Sequence, residues 1–421
     1  MISPMRRTLA WIPLLLACAA PCPTDPLVPA PDARFAVRFH EPPAPPMPDE
    51  TAGMETFSDP PGVATYAAFA LYDEAGQVVA ERWLDTFTPL DAVIGTVNAA
   101  TRFATRTPDG QLTLLLADGL RPALRVDVAT GEPTLVAPTW VAAPTAAGQL
   151  VDLAPLPDGT ALATRRRAPD GLGGDLVRLD VANGGAVLES VALSALSSGR
   201  VEPGTVAVVE GRAVIGLGLL DEPGAGAVAV YDLERATVER VDVPGLSNCA
   251  QVVRLASGRV GALCAGDLAD PARAGVGFAR IEATLDAPPA VLDGRPESTL
   301  FRDRAPTGAL VALSGEWVAA VSRGDPTSGR PDALIAVDLA SDAATLLLEA
   351  PFDEAFGGTL GAGAFAGGAL WWPSARGVIY RFAMTGEDAA ATFDALEPAS
   401  PPGCFSLSPR AVSVVGPAPS P

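Results

Sequence analysis

The side chains that usually do chemistry are scarce in this chain. It has one histidine, His40, and all 29 of its basic residues are arginine. Without lysine there is no Schiff-base chemistry and no phosphate loop of the Walker type. The pattern Gly-x-Ser-x-Gly is absent, and no serine stands in a recognisable nucleophile turn. A lone histidine among prolines has no second imidazole with which to hold a metal. What remains is carboxylate, amide and guanidinium chemistry. These groups suit hydrogen bonding to a polar ligand, or oxygen ligation of Ca²⁺. The chain of 421 residues carries 49 acidic side chains and a formal charge of −20. Such a surface repels a phosphate backbone, so no nucleic-acid partner is expected.

Five cysteines are the other reactive groups. The first lies behind a short basic start, Arg6-Arg7, and an apolar run, Leu9-Ala-Trp-Ile-Pro-Leu-Leu-Leu-Ala17. That run is too short to span a bilayer as a helix and fits the core of a secretory signal. It ends in Leu15-Leu16-Ala17-Cys18. These four positions resemble the bacterial lipobox, which implies that Cys18 is acylated and becomes the new N-terminus. Ala19 follows in place of the Asp of inner-membrane retention, so the resemblance implies the outer membrane. The alternative is an ordinary signal cut near Ala20. Loss of Arg6 and Arg7 takes the side-chain charge from −20 to −22. Proline is dense from Pro21 to Pro31 and again through Glu41-Pro-Pro-Ala-Pro-Pro-Met-Pro48. Such a segment is extended and poor in ladder donors, which predicts a tether over 18–62 between a signal at 1–17 and the folded body.

The body is repetitive. An apolar pair, a spacer, an aliphatic residue and an acid recur at Asp73, Asp127, Asp180, Asp232, Glu282 and Asp338, with Ala383 in register. The steps are 54, 53, 52, 50, 56 and 45 residues. In phase with them, a turn glycine precedes an apolar run at Gly110, Gly159, Gly211, Gly258, Gly315 and Gly367. No apolar stripe at helical spacing persists, whereas the turn pairs suit hairpins. About 50 residues hold four short strands, and a unit that buries its faces only against its neighbours is a propeller blade. The pattern resembles WD40-like and YVTN-type β-propeller repeats. The expected fold is therefore an all-β propeller over 63–416 with a tail at 417–421. Seven four-stranded blades are predicted, with six or eight as alternatives. The first unit lacks its two inner strands, and the C-terminus offers two, around Cys404–Ser408 and Ala411–Gly416. Joining them would close the ring.

This architecture places the remaining candidates. Cys249 and Cys264 flank the turn at Ser257-Gly258 on successive strands, nearly opposite each other. In an oxidising compartment they are expected to form a disulfide, the alternative being two buried thiols. A pair between Cys22 and Cys404 stays open. Counting back from each turn glycine puts Arg102, Asp152, Glu202, Asn248, Gln251, Arg304 and Thr359 at the tunnel mouth. Asp118, Asp170, Asp175, Asp221, Glu222, Asp267, Asp270 and Asp325 fall in loops on one face. They read either as an acidic rim or as ordinary turn residues. Two functions compete. One is a non-catalytic, lipid-anchored envelope module that binds a protein or polymer and needs no cofactor. The other is a calcium-dependent hydrolase or lactonase using the tunnel. A quinone-cofactor dehydrogenase is disfavoured, since the repeats lack a regular tryptophan pattern.

Overall fold

The computed structural model describes residues 33–40, 67–84, 101–106, 112–116, 124–127, 133–135, 149–166, 174–180, 186–219, 221–267, 269–270, 272–302, 304–325, 327–341, 343–352, 359–386, 390–402 and 408–417. Among them, the chain begins with β1 (Phe35–His40), β2 (Ala67–Tyr72) and β3 (Val78–Leu84). Next come β4 (Thr101–Arg106), β5 (Leu112–Leu116), β6 (Leu124–Asp127) and β7 (Pro133–Leu135). A third group is β8 (Gln149–Pro155), β9 (Thr160–Arg166), β10 (Asp175–Asp180) and β11 (Ala186–Ala192). The fourth is β12 (Val201–Val209), β13 (Arg212–Leu219), β14 (Ala227–Asp232) and β15 (Thr237–Asp242). The fifth is β16 (Gln251–Arg254), β17 (Val260–Ala265), β18 (Val276–Glu282) and β19 (Ala290–Pro296). After a short helix, α1 (Ser298–Phe301), follow β20 (Pro306–Ala312), β21 (Trp317–Ser322), β22 (Asp332–Asp338) and β23 (Ala344–Ala350). The last strands are β24 (Ala364–Ala366), β25 (Ala369–Ser374), β26 (Val378–Thr385), β27 (Thr392–Ala395) and β28 (Ser408–Pro417).

Among the described residues, five of the six sheets are four-stranded antiparallel meanders. The sixth has eight strands in the order β3-β2-β1-β28-β4-β5-β6-β7 and divides at its one parallel join, β28 with β4. Division yields seven four-stranded units among the described residues, and the fold is an all-β propeller. The repeated acids end or follow the third strand of their blades, and Gly159, Gly211, Gly258, Gly315 and Gly367 stand in turns that lead into second strands, as the spacing predicts; Gly110 lies outside the described residues. Both turn types are held locally. Asp158 Oδ1 accepts the Thr160 amide at 3.0 Å beside Gly159, whose φ of +80° an L side chain rarely adopts. Asp73, Asp232, Glu282 and Asp338 likewise accept amides of their own turns.

The apolar cores lie between blades. One joins Phe35, Val37, Phe39 and Tyr72 of the first blade to Trp371 and Ile379 of the last. Others join the third blade to the fourth, the fourth to the fifth, and so on round to the seventh. Arginine forks add polar ties. Arg212 donates to the carbonyls of Thr284 and Ala287, and Arg295 to those of Asp338 and Ser341, each in the next blade. A planar guanidinium serves two carbonyls in fixed geometry, which an ammonium does not.

Ring closure differs from the expectation. Among the described residues the C-terminus supplies one strand, β28, and residues 403–407, where a second was expected, lie outside them. β28 runs straight through Pro409-Arg410, and a shift in register between Arg38 and Phe39 accommodates the proline, which has no amide to give. The second strand is β1, inside the segment expected to be tether. It pairs on one side with β28, from Phe35↔Val414 to His40↔Ser408, and on the other with β2, from Phe35↔Tyr72 to His40↔Ala67. Its apolar residues at 35, 37 and 39 are hidden in sequence by the proline runs on either side. His40 is thus a strand residue. Cys18, Cys22, Cys404 and the proline-rich stretches lie outside the described residues.

Candidate functional site

The innermost strands of the third, fourth and fifth blades meet through buried polar groups. β12 shifts register against β13 between Pro203 and Val206, which frees amides there. Asp152, on β8, is 2% exposed and accepts the amides of Leu153 at 2.9 Å and of Val206, in the next blade, at 2.8 Å. The Thr164 hydroxyl donates to the Gly204 carbonyl at 2.6 Å. The Thr205 amide donates to the Ala250 carbonyl at 2.9 Å. Its hydroxyl donates to the Val252 carbonyl and accepts the Val252 amide. Three blades are therefore stitched at one level, close to the axis.

Asn248 belongs to the same joint. Its φ is +53°, and its side chain accepts the Leu219 amide at 3.0 Å and donates to the Gly266 carbonyl at 2.8 Å. Thr359 serves a similar joint further round. Its amide donates to Asp332, and its hydroxyl donates to the Pro351 carbonyl. Asp332, fully buried, also accepts the amides of Gly324 at 2.6 Å and Leu360 at 3.0 Å. Sequence reasoning passed over Asp332; the only signal was an acid directly after Pro331 at the start of a third strand.

Of the seven residues expected at the tunnel mouth, Asp152, Asn248 and Thr359 therefore hold backbone, and their described bonds run to different partners. Glu202 is half-buried and ion-paired with Arg200. Gln251 opens β16 opposite Leu263. Arg304 is ion-paired with Asp325. Arg102 stands on β4, and its side chain lies outside the described residues.

The acids of the expected rim are occupied in the same manner. Asp175 is buried against Arg165, whose Nε is 2.8 Å away. Asp221 accepts the Arg200 amide at 2.8 Å. Glu222 takes the Ser197 hydroxyl, the Ser198 amide and Arg240. Asp267 and Asp270 cap their own loop. Asp118 and Asp170 lie outside the described residues. The hydroxyls of Thr327 and Ser328, then the Thr327 amide and the Arg304 guanidinium, hold the Asp325 carboxyl down to about 2. Asp158, Glu222, Asp232 and Glu282 are also lowered, chiefly by the neighbouring Thr160 hydroxyl, the Ser197 hydroxyl, the Arg235 amide and the Thr284 hydroxyl respectively. A folded value below the unfolded one stabilises the fold above the unfolded value of about 3.9 for Asp, and that stabilisation fades as pH falls. The melting temperature should drop between about pH 4 and pH 2. Asp325→Asn should lower it at pH 7 and leave it close to that of the parent at pH 2.

A disulfide joins Cys249 and Cys264, whose Cα atoms are 3.8 Å apart. The Cys249 carbonyl accepts the Leu217 amide of the fourth blade, so the bond fastens the connector between two blades to β17. The sequence separation is 15 residues. Replacing both cysteines by alanine should cost about 3 kcal/mol or less in denaturant unfolding, since the cross-link restrains a short loop of the unfolded chain.

Among the described residues no group of three or more His, Cys, Asp or Glu side chains is placed to hold a metal ion, and no helix is long and apolar enough to cross a membrane. No protein-family model and no curated protein matches the chain. Solved structures do resemble it. A lignostilbene dioxygenase of Pseudomonas brassicacearum is 13% identical with a TM-score of 0.52, over 94% of each chain. The WD40 repeats of RRP9 are 12% identical with a TM-score of 0.46, over 71% of this chain and 80% of that one. The PQQ-bound aldose sugar dehydrogenase of Streptomyces coelicolor is 16% identical with a TM-score of 0.37, over 76% and 87%. At 13% identity the likeness to the dioxygenase shows the fold alone, and a propeller hosts unrelated functions.

Proposed function

We propose that this chain is a lipid-anchored β-propeller of the bacterial cell envelope that binds a protein or polymer partner without catalysing a reaction. One observation carries the reading. Asp152 and Asn248, the oxygen donors that tunnel-based calcium chemistry would call on, direct their side-chain oxygens to backbone amides. Glu202 and Gln251, on innermost strands, and Arg304, ahead of one, put polar groups of mixed sign near the axis, which suits a polar partner. Export and anchoring rest on the basic start, the apolar run and the lipobox-like Leu15-Leu16-Ala17-Cys18. The disulfide agrees with an oxidising compartment.

Cys18→Ser should release the protein from membranes, because it removes the proposed acyl anchor. Retention after a high-salt wash would count against the anchor. For the binding role, the trial is a panel of lactones, esters and phosphoesters with and without Ca²⁺. No turnover, together with salt-sensitive capture of a basic envelope component, is expected from a chain of this charge. Turnover that vanishes in Glu202→Gln would replace binding with hydrolysis.

A further inference from the structure

The strand that closes the ring is also the strand nearest the proposed anchor. Every residue of β1 from Phe35 to His40 is paired on both sides, with β2 and with β28. Phe35, Val37 and Phe39 are buried in the core between the first and last blades. Phe35 stacks on Trp371 at 4.2 Å between ring centroids, and the Arg381 guanidinium lies 4.7 Å from the Trp371 ring. Arg381 in turn donates to the Glu74 and Ala75 carbonyls, in the turn after β2. Arg34, just ahead of β1, reaches Glu74 in that same turn at 3.3 Å. The chain therefore enters the ring on the face formed by the turns between second-half strands, fully seated by pairing and packing.

Its covalent link to the rest of the blade is different. Twenty-six residues, 41–66, separate β1 from β2, whereas three residues, 375–377, join the corresponding strands β25 and β26. We propose that β1 is a separable strap, held in its slot by strand pairing and the Phe35–Trp371 contact and not by its covalent link. Strand addition of this kind draws its affinity from main-chain bonds and its selectivity from alternate side chains in pockets. Docking also sets the reach of the anchor arm. With β1 seated, residues 19–34 alone span from Cys18, about 55 Å at full extension; with β1 released, residues 19–66 span about 165 Å. That consequence for reach rests on the lipid-anchor reading, whereas the strap does not.

The test uses the full chain carrying Cys18→Ser, with a specific protease site inserted between His40 and Ala67. After cleavage the N-terminal fragment should co-elute with the ring on gel filtration. A large excess of a peptide spanning residues 33–41 should then displace it slowly. Phe35→Ala should speed the displacement at least about tenfold, since it removes the buried ring that stacks on Trp371. Separation of the fragment on cleavage, unfolding of the cleaved chain, or exchange indifferent to Phe35→Ala would each overturn the strap. Membrane fractionation of the chain with Cys18 intact reports on the anchor separately, so either reading can fail alone.

Discussion

A chain ending at Pro402 should lose the cooperative unfolding of the parent, with a melting temperature lowered by well over 10 °C or no folded ring at all. The truncation removes β28, which lies at the centre of an eight-stranded sheet. It would strip six pairings from β1 and three from β4, and with them the bond from the Val412 amide to the Ala362 carbonyl at 2.9 Å. Val412, 3% exposed, would leave the core that holds Phe35 and Trp371. Two inner strands would become open edges at once. A single domain is stable by only about 5–15 kcal/mol, and loss of a central strand consumes most of that. Differential scanning calorimetry reads the result. An unchanged melting temperature would mean that the ring closes without β28.

The second large effect is expected from Gly204→Ala. A Cβ at Gly204 would fall 1.6 Å from the Ala250 carbonyl oxygen and 2.5 Å from its carbon. The obstacle is backbone, and backbone already engaged, since that carbonyl accepts the Thr205 amide. Relief requires parting the fourth and fifth blades at the joint where Thr205 bonds to Ala250 and Val252. The cost should reach about 4–5 kcal/mol, the upper range for a single substitution. Gly159→Ala is the control, because nothing lies within 4 Å of its added carbon and only the positive φ is penalised, at about 1–2 kcal/mol. Urea titration of the two variants should separate them clearly. Equal losses would show that the inner joint yields more readily than its close packing suggests.

The blades were legible in the sequence because the forces that shape them are local. Asp158 meets an amide two residues away, Asp73 one four residues away, and the third strands β10, β14, β18 and β22 are each a nearly continuous buried apolar run. Cys249 and Cys264 could be paired for the same reason, being close across one hairpin. Roles that depend on another blade were not legible. Asp152 reads as a polar residue at a strand start, and only the fold brings the Val206 amide, 54 positions on, to its carboxylate. That amide is available because β12 slips register at Pro203, an event the residue types do not announce. The strand Phe35–His40 was likewise obscured by its proline-rich flanks. Its partners, Val414 and Ser408, stand almost a full chain length away, and a pairing that distant is decided by the closing of the ring, where an unpaired inner edge and an exposed apolar face both demand the strand that can cover them.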